Sequence, residues 1–201
     1  MTTELYSRQD LIGVRQPERV MVFGVGGIGS WVAIFSALSG ASHLTLWDND
    51  IVEESNRARI PFKRSDVGRP KTDALLDIIL SFRPDLSVIC LGKASEVLLN
   101  IIPTNDDLVY DCTDNSEAQN LIHKWCKARG LHYIKAGCNS TSITVTSTRS
   151  GWDTNPGQTG YTITPSWVVP AAVAAALAVY KGTYDQCFEL FGEIDRITIK
   201  E

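Results

Sequence analysis

The sequence predicts an α/β fold, a Rossmann-like, doubly wound and mostly parallel sheet with helices on both faces. Three observations lead there. Short apolar runs alternate with stretches of helical periodicity from Arg19 to Arg129. Strands of that alternating kind are of the buried type, as a parallel sheet covered on both faces requires. The first run ends in a glycine cluster, Gly24-Val25-Gly26-Gly27-Ile28-Gly29, which opens into a helical stretch.

Arg19 to Phe23 reads as the first strand, stopped by Gly24. Ser30 to Leu38 is apolar at helical spacing, and Gly40 stands where a C-cap is expected. Leu44 to Trp47 reads as the second strand. Thr72 to Leu80 reads as a helix with Leu75, Leu76, Ile79 and Leu80 on one side, ending before Pro84. Leu86 to Leu91 and Leu108 to Asp111 give the third and fourth strands. Ser116 to Arg129 is a helix that turns Ala118, Leu121, Ile122, Trp125 and Cys126 inward. His132 to Ala136 alternates poorly, so it reads as buried on both faces, and Ser142 to Ser147 comes next as another strand. Ser147 to Thr164 is rich in Gly, Thr, Ser and Asn and reads as a crossover loop, of a length that is usually functional or disordered. An Ala-rich core helix over Trp167 to Tyr180 and a short strand near Arg196 to Ile199 close the chain.

With 201 residues, 44% of them hydrophobic, the chain supports one domain over 1–201 and excludes disorder as the main state. A net charge of -4 offers no basic excess for nucleic acid. No run reaches the roughly 18 to 20 apolar residues of a membrane span, and Met1 to Asp10 lacks an apolar signal core. Five cysteines without a Cys-x-x-Cys pair argue against a disulfide framework and a cysteine zinc site. A cytoplasmic location is the resulting expectation.

The glycine cluster fits G-x-G-x-x-G in the strand-to-helix context that fingerprint needs. Gly24 permits the turn, Gly26 a close approach of backbone to phosphate, and Gly29 close packing of helix on sheet. Asp48 ends the second strand, about 20 residues on, where a carboxylate can accept from ribose hydroxyls. The default ligand would be NAD; the bland reading is a glycine-rich turn beside a surface Asp. Three polar stretches favour ATP instead. Asp48 to Arg59 carries Asp50, Asn56, Arg57 and Arg59. Gly68-Arg69-Pro70-Lys71 opens a helix with a lysine that the helix dipole opposes, which makes sense with an anion between them. Cys112-Thr113-Asp114-Asn115 puts a carboxylate at the same sheet edge. Cations around one carboxylate suit Mg-nucleotide chemistry, whereas hydride transfer does not require them.

Together with Tyr6-Ser7-Arg8-Gln9, these stretches resemble the ThiF/MoeB family, the adenylating domain of ubiquitin-activating enzymes, over about residues 5 to 146 plus the closing helix and strand. The resemblance implies ATP- and Mg²⁺-dependent adenylation of the C-terminal carboxylate of a small ubiquitin-like or sulfur-carrier protein. It implies that Gly26, Gly27 and Gly29 shape the ATP site and that Asp48 holds the ribose. Asn56, Arg59 and Lys71 would contact phosphates, with Asp50 orienting them. Asp114 would bind Mg²⁺, and Arg8 would reach the active site of the partner in a homodimer. A surface ion pair between Asp50 and Arg57 is the bland alternative, and Arg69 reads as solvated.

The chain departs from the family in three ways. Neither zinc pair exists, the Ser147 to Thr164 loop has no Cys, and Gln119 stands where an Arg is common. Thioester and sulfur transfer are therefore not expected. Cys90, Cys112 and Cys126 read as buried, and Cys138 and Cys187 as unreactive. His43, His123 and His132 read as structural or solvated. The competing readings are a non-catalytic scaffold subunit, an NAD(P)-binding oxidoreductase, and a relative that adenylates a small molecule or modified tRNA base.

Overall fold

In the computed structural model, residues 4–14, 18–102, 108–139, 142–148, 166–184, 189–193 and 199–200 are described. The apolar runs form β1 (Arg19–Phe23), β2 (His43–Trp47), β3 (Ser87–Leu91), β4 (Leu108–Asp111) and β5 (His132–Asn139), all parallel, in the order β3-β2-β1-β4-β5. β6 (Ser142–Thr146), β7 (Glu189–Glu193) and β8 (Ile199–Lys200) extend the sheet antiparallel beyond β5. The strand order reverses between β1 and β4, which opens a crevice at their carboxyl ends.

The two faces of each parallel strand go to two cores. Val20, Val22, Leu44, Leu46, Tyr110 and Ile134 face α2 (Gly29–Leu38), α3 (Lys71–Phe82) and α6 (Val168–Tyr184). Met21, Phe23, Trp47, Val109 and Tyr133 face the other way, against α4 (Glu96–Ile101) and α5 (Ser116–Arg129). Burial on both sides explains why these runs show little alternation. Small residues let α6 lie close to the sheet: a Cβ on Gly182 would come within 2.3 Å of the Tyr110 hydroxyl.

Local chemistry fixes the helix ends. Asn115 Oδ1 accepts from the Glu117 and Ala118 amides at 2.9 and 3.0 Å and caps α5. Gly130, at φ 64°, ends it in the left-handed conformation. The N-terminal segment, with α1 (Ser7–Asp10), is held by buried Tyr6, which meets the buried guanidinium of Arg83.

Several elements differ from the sequence reading. β5 continues past Ala136 to Asn139 and pairs antiparallel with β6, which follows it after only two residues of chain. Neither α1 nor α4 was foreseen; Ser95 caps α4 by accepting from the Leu98 amide, a short-range signal in Ser95-Glu96. β7 was not foreseen either. Of the expected last strand only Ile199 is described, in β8, while 196–198 lie outside the described residues, as do 149–164 of the crossover loop and Cys187. No helix among the described residues is long and apolar enough to cross a membrane.

Candidate functional site

The site is built from the segments that leave the carboxyl ends of the parallel strands. After β1, Gly24 takes φ 80° and a Cβ there would sit 3.1 Å from the Cys112 carbonyl group, so the loop lies directly on the end of β4. A Cβ on Gly29 would meet the Gly24 carbonyl oxygen at 1.8 Å, so α2 can start there only from glycine. Gly26 faces open space, with nothing within 4 Å of a Cβ. The backbone ladder runs one residue past the strands: the amides of Gly24, Asp48 and Cys112 donate to Trp47, Leu91 and Phe23 carbonyls at 2.7, 3.0 and 2.8 Å.

Asp48 spends its carboxylate on this edge. Its two oxygens accept from the Val25 and Asp50 amides, both at 2.8 Å, and tie the glycine loop to the turn after β2. Burial pushes its pKa up, against the pull of those amides and of Lys71. The lone pairs that remain are what Asp48 could offer a ribose.

Residues 50–52 and 68–71 are zipped by backbone bonds, including Lys71 N–H to Asp50 C=O at 3.0 Å and Val52 N–H to Arg69 C=O at 2.8 Å. This delivers Lys71, the first residue of α3, to the crevice. Its ammonium lies 2.7 Å from Asp50 Oδ2; the lysine side chain is 12% exposed and the aspartate 61%. Asp50 thus supplies an anion at a helix start that otherwise opposes a lysine. The anticipated alternative pair of Asp50 with Arg57 does not form, because Arg57 reaches back to Glu54, one turn away on its own 3₁₀ segment. Arg69 is not merely solvated: it bridges Asp66 at 2.9 Å and Asp77 at 2.7 Å.

Gly24, Gly26, Gly27, Asp48, Asp50, Arg59, Lys71 and Asp114 line one cleft of about 580 Å³. Arg59 lies over Gly27, its Cδ 3.4 Å from where a Cβ would be, and its Nε is buried with no hydrogen-bond partner among the described residues. Asp114 is exposed on the opposite wall and has no hydrogen bond or ion pair among the described residues. Asn56 is not brought to the cleft. It is buried, and its Oδ1 accepts from the Glu53 amide at 3.0 Å to cap a 3₁₀ turn. Arg8 is exposed on α1 and does not line the cleft of its own chain. Gly29 acts through packing, beneath the loop.

The sequence reading missed Lys93, Asn49 and Glu117, which also line the cleft, and a buried group beneath Asp114. There Lys135, 1% exposed inside β5, meets fully buried Asp111 at 3.4 Å. A single lysine in an apolar strand was the available signal. Cysteines 90, 112, 126 and 138 are free. Burial pushes the Cys112 and Cys126 thiols up to about 12. Cys138 lines the cleft; burial raises its thiol, opposed by a hydrogen bond with Ser166 and by Arg59. His43 shares a contact with Ser42, and His123 stacks edge-on against Tyr133, so neither enters the cleft.

Comparison with known proteins places the chain in one family. The family profile described as the ThiF family matches residues 10–164. Ubiquitin-like modifier-activating enzyme 5 of Oryza sativa is 29% identical over 138 residues, covering 62% of this chain and 33% of that protein. Adenylyltransferase and sulfurtransferase UBA4 of Yarrowia lipolytica is 30% identical over 131 residues, 62% of this chain and 32% of that protein. Sulfur carrier protein ThiS adenylyltransferase of Escherichia coli is 32% identical over 121 residues, 59% and 48%. The chain therefore spans about a third to a half of the length of these relatives. Among solved structures, E. coli MccB with ATP superposes with a TM-score of 0.79 at 22% identity, over 99% of this chain and 71% of that one, a likeness of fold. With its profile match over most of its length and its Rossmann-like sheet, the chain belongs to the ThiF family.

Proposed function

We propose that the chain is an adenylyltransferase that uses ATP and Mg²⁺ to activate the C-terminal carboxylate of a small ubiquitin-like or sulfur-carrier protein, releasing pyrophosphate. The observation that carries this reading is the cleft itself. Two basic side chains, Arg59 and Lys71, stand across one opening from the carboxylate of Asp114, with the open backbone of Gly26 between strand and helix. The residues fit the ligands: Arg59 has a buried donor without a partner, and Asp114 a carboxylate without one, among the described residues. The relatives named adenylyltransferases support the same reaction class.

In this mechanism the Gly26–Gly27 backbone and Arg59 cradle phosphates, and Lys71 exchanges Asp50 for a phosphate oxygen. Asp48 accepts from the ribose, while Asp114 would hold the metal. Mg²⁺, when bound, would offset charge on the phosphate oxygens. The acceptor carboxylate attacks the α-phosphorus in line, the bond to the bridging oxygen breaks, and pyrophosphate departs. No general base is required, because a carboxylate is ionised at neutral pH. Asn56 acts at one remove, by holding the turn that carries Arg59. Arg8 works in trans within a homodimer in the cytoplasm. With Cys138 held protonated by burial, the reaction ends at the acyl-adenylate or passes it to a nucleophile elsewhere.

ATP–pyrophosphate exchange with candidate carrier proteins from the same genome tests the reading. Exchange dependent on the carrier's terminal carboxylate is expected. Calorimetry that finds tight NAD binding and no ATP binding would overturn it. Mixing Arg8→Ala and Asp114→Ala chains should restore part of the activity; no recovery in a preparation shown to exchange subunits would remove Arg8 from the partner's site.

A further inference from the structure

We propose that Lys135, acting with Asp111 and Gln119, is a positioning residue that presets Asp114 for its cation; this rests on the adenylation reading above. Every polar group of Thr113 is held by a buried side chain. Its amide and hydroxyl donate to Asp111 Oδ1 at 3.0 and 2.6 Å. Its carbonyl accepts from Gln119 Nε2 at 2.9 Å and from the Lys135 ammonium. Tyr133 completes the group by donating to Asp111 Oδ2 at 2.8 Å. Asp111, Lys135 and Gln119 are 0%, 1% and 4% exposed. On the other side of Asp114, Asn115 is fixed as the α5 cap. Asp114 is thus a carboxylate without a partner among the described residues, set between two immobilised neighbours.

Stability alone does not account for a lysine here. Gln119 already satisfies the Thr113 carbonyl, and a buried ion pair is often no more stable than an apolar replacement. The second donor to that carbonyl instead fixes the peptide that orients the Asp114 side chain. A group held before the ligand arrives loses less freedom on binding it.

The test uses the full chain with Mn²⁺ as the probe ion, read by electron paramagnetic resonance with and without ATP. Lys135→Met alone leaves Asp111 buried and unpaired, so the informative variant is Asp111→Asn with Lys135→Met, which removes both charges. Gln119→Leu is a second, milder variant for the case in which the first does not fold. The expected result is a folded protein by circular dichroism whose Mn²⁺ affinity in the ATP complex falls at least tenfold. The metal concentration for half-maximal exchange should rise to match, and ATP affinity without metal should stay within twofold. For Gln119→Leu a loss of about threefold is expected. A lowered melting temperature with unchanged Mn²⁺ affinity in whichever variant folds would make the group merely structural and overturn the proposal. Wild-type protein that binds neither ATP nor Mn²⁺–ATP would overturn the adenylation reading first, and this proposal with it.

Discussion

The two walls of the cleft are made differently. The basic wall, residues 50–71, rests on backbone bridges and short 3₁₀ turns, and its lysine already has a partner, Asp50, that is mostly in solvent. The acidic wall, Thr113 to Asn115, stands on a buried ion pair, and its exposed carboxylate has no partner among the described residues. One wall can trade its ion pair for a ligand at little cost, because a pair whose carboxylate is mostly in solvent contributes about 1 kcal/mol or less. The other offers a group already fixed in place. Adjustable cations and a rigid carboxylate suit a ligand whose phosphates change position during reaction while its metal does not.

The largest expected effect tests the rigid wall. Asp114→Ala should reduce pyrophosphate exchange by about 1,000-fold, as loss of a site's main electrostatic contact does. Its stability should stay within about 0.5 kcal/mol of wild type, since the side chain is exposed. Exchange rates beside a thermal melt would separate the two; unchanged exchange would release Asp114 from any metal role.

Between the walls, the glycines give a matched pair. Gly29→Ala should destabilise by about 3 kcal/mol, because its Cβ would strike backbone and not a movable side chain. Gly26→Ala should leave stability within about 0.5 kcal/mol but weaken ATP, because its Cβ would occupy open cleft. Denaturant midpoints and calorimetry on both variants check the contrast, and equal destabilisation would break it.

On the adjustable wall, Lys71→Met should cost about 100-fold in exchange, in the range for a lost charged hydrogen bond. Asp50→Asn should cost less than about 1 kcal/mol in stability. If Asp50→Asn were as damaging to exchange as Lys71→Met, the pair would be a fixed unit, and the contrast between walls would fail.

The smallest effect concerns Cys138. Because burial raises its thiol above the usual range, the thiolate fraction at neutral pH is low. Alkylation by iodoacetamide should be slow at pH 7, accelerate as pH rises toward and beyond the ordinary thiol range, and be slowed further by ATP. Peptide mapping of the alkylated chain reads this; rapid labelling at pH 7 that ATP does not affect would place Cys138 outside the nucleotide cleft.

How far the sequence foretold these walls depends on the range of the interactions. Gly24, Asp48, Lys71 and Asp114 could be placed at one sheet edge because each follows a strand or opens a helix, and strand order carries them together. Asn56 could not be assigned correctly to a phosphate or a cap from its type, since its amide serves either; only the folded turn puts its oxygen on the Glu53 amide. Lys135 stood out as a lysine in an apolar strand, but its partners were hidden for a related reason. Its partners Asp111 and Thr113 lie on the neighbouring parallel strand and the turn beyond it, with α5 between them in sequence. Arg83 is another such case, far from Tyr6 in the chain yet in contact with it.

The ladder that continues past the strands has a dynamic consequence. The amides of Gly24, Asp48 and Cys112 hand from each strand to its neighbour, linking β4 to β1, β1 to β2, and β2 to β3. Three loops that line the cleft are therefore stitched to one another by main-chain bonds. In hydrogen–deuterium exchange these three amides should open as one cooperative unit, with a common protection factor, rather than as three independent loops. A ligand held by only one of the loops would then slow exchange in all three.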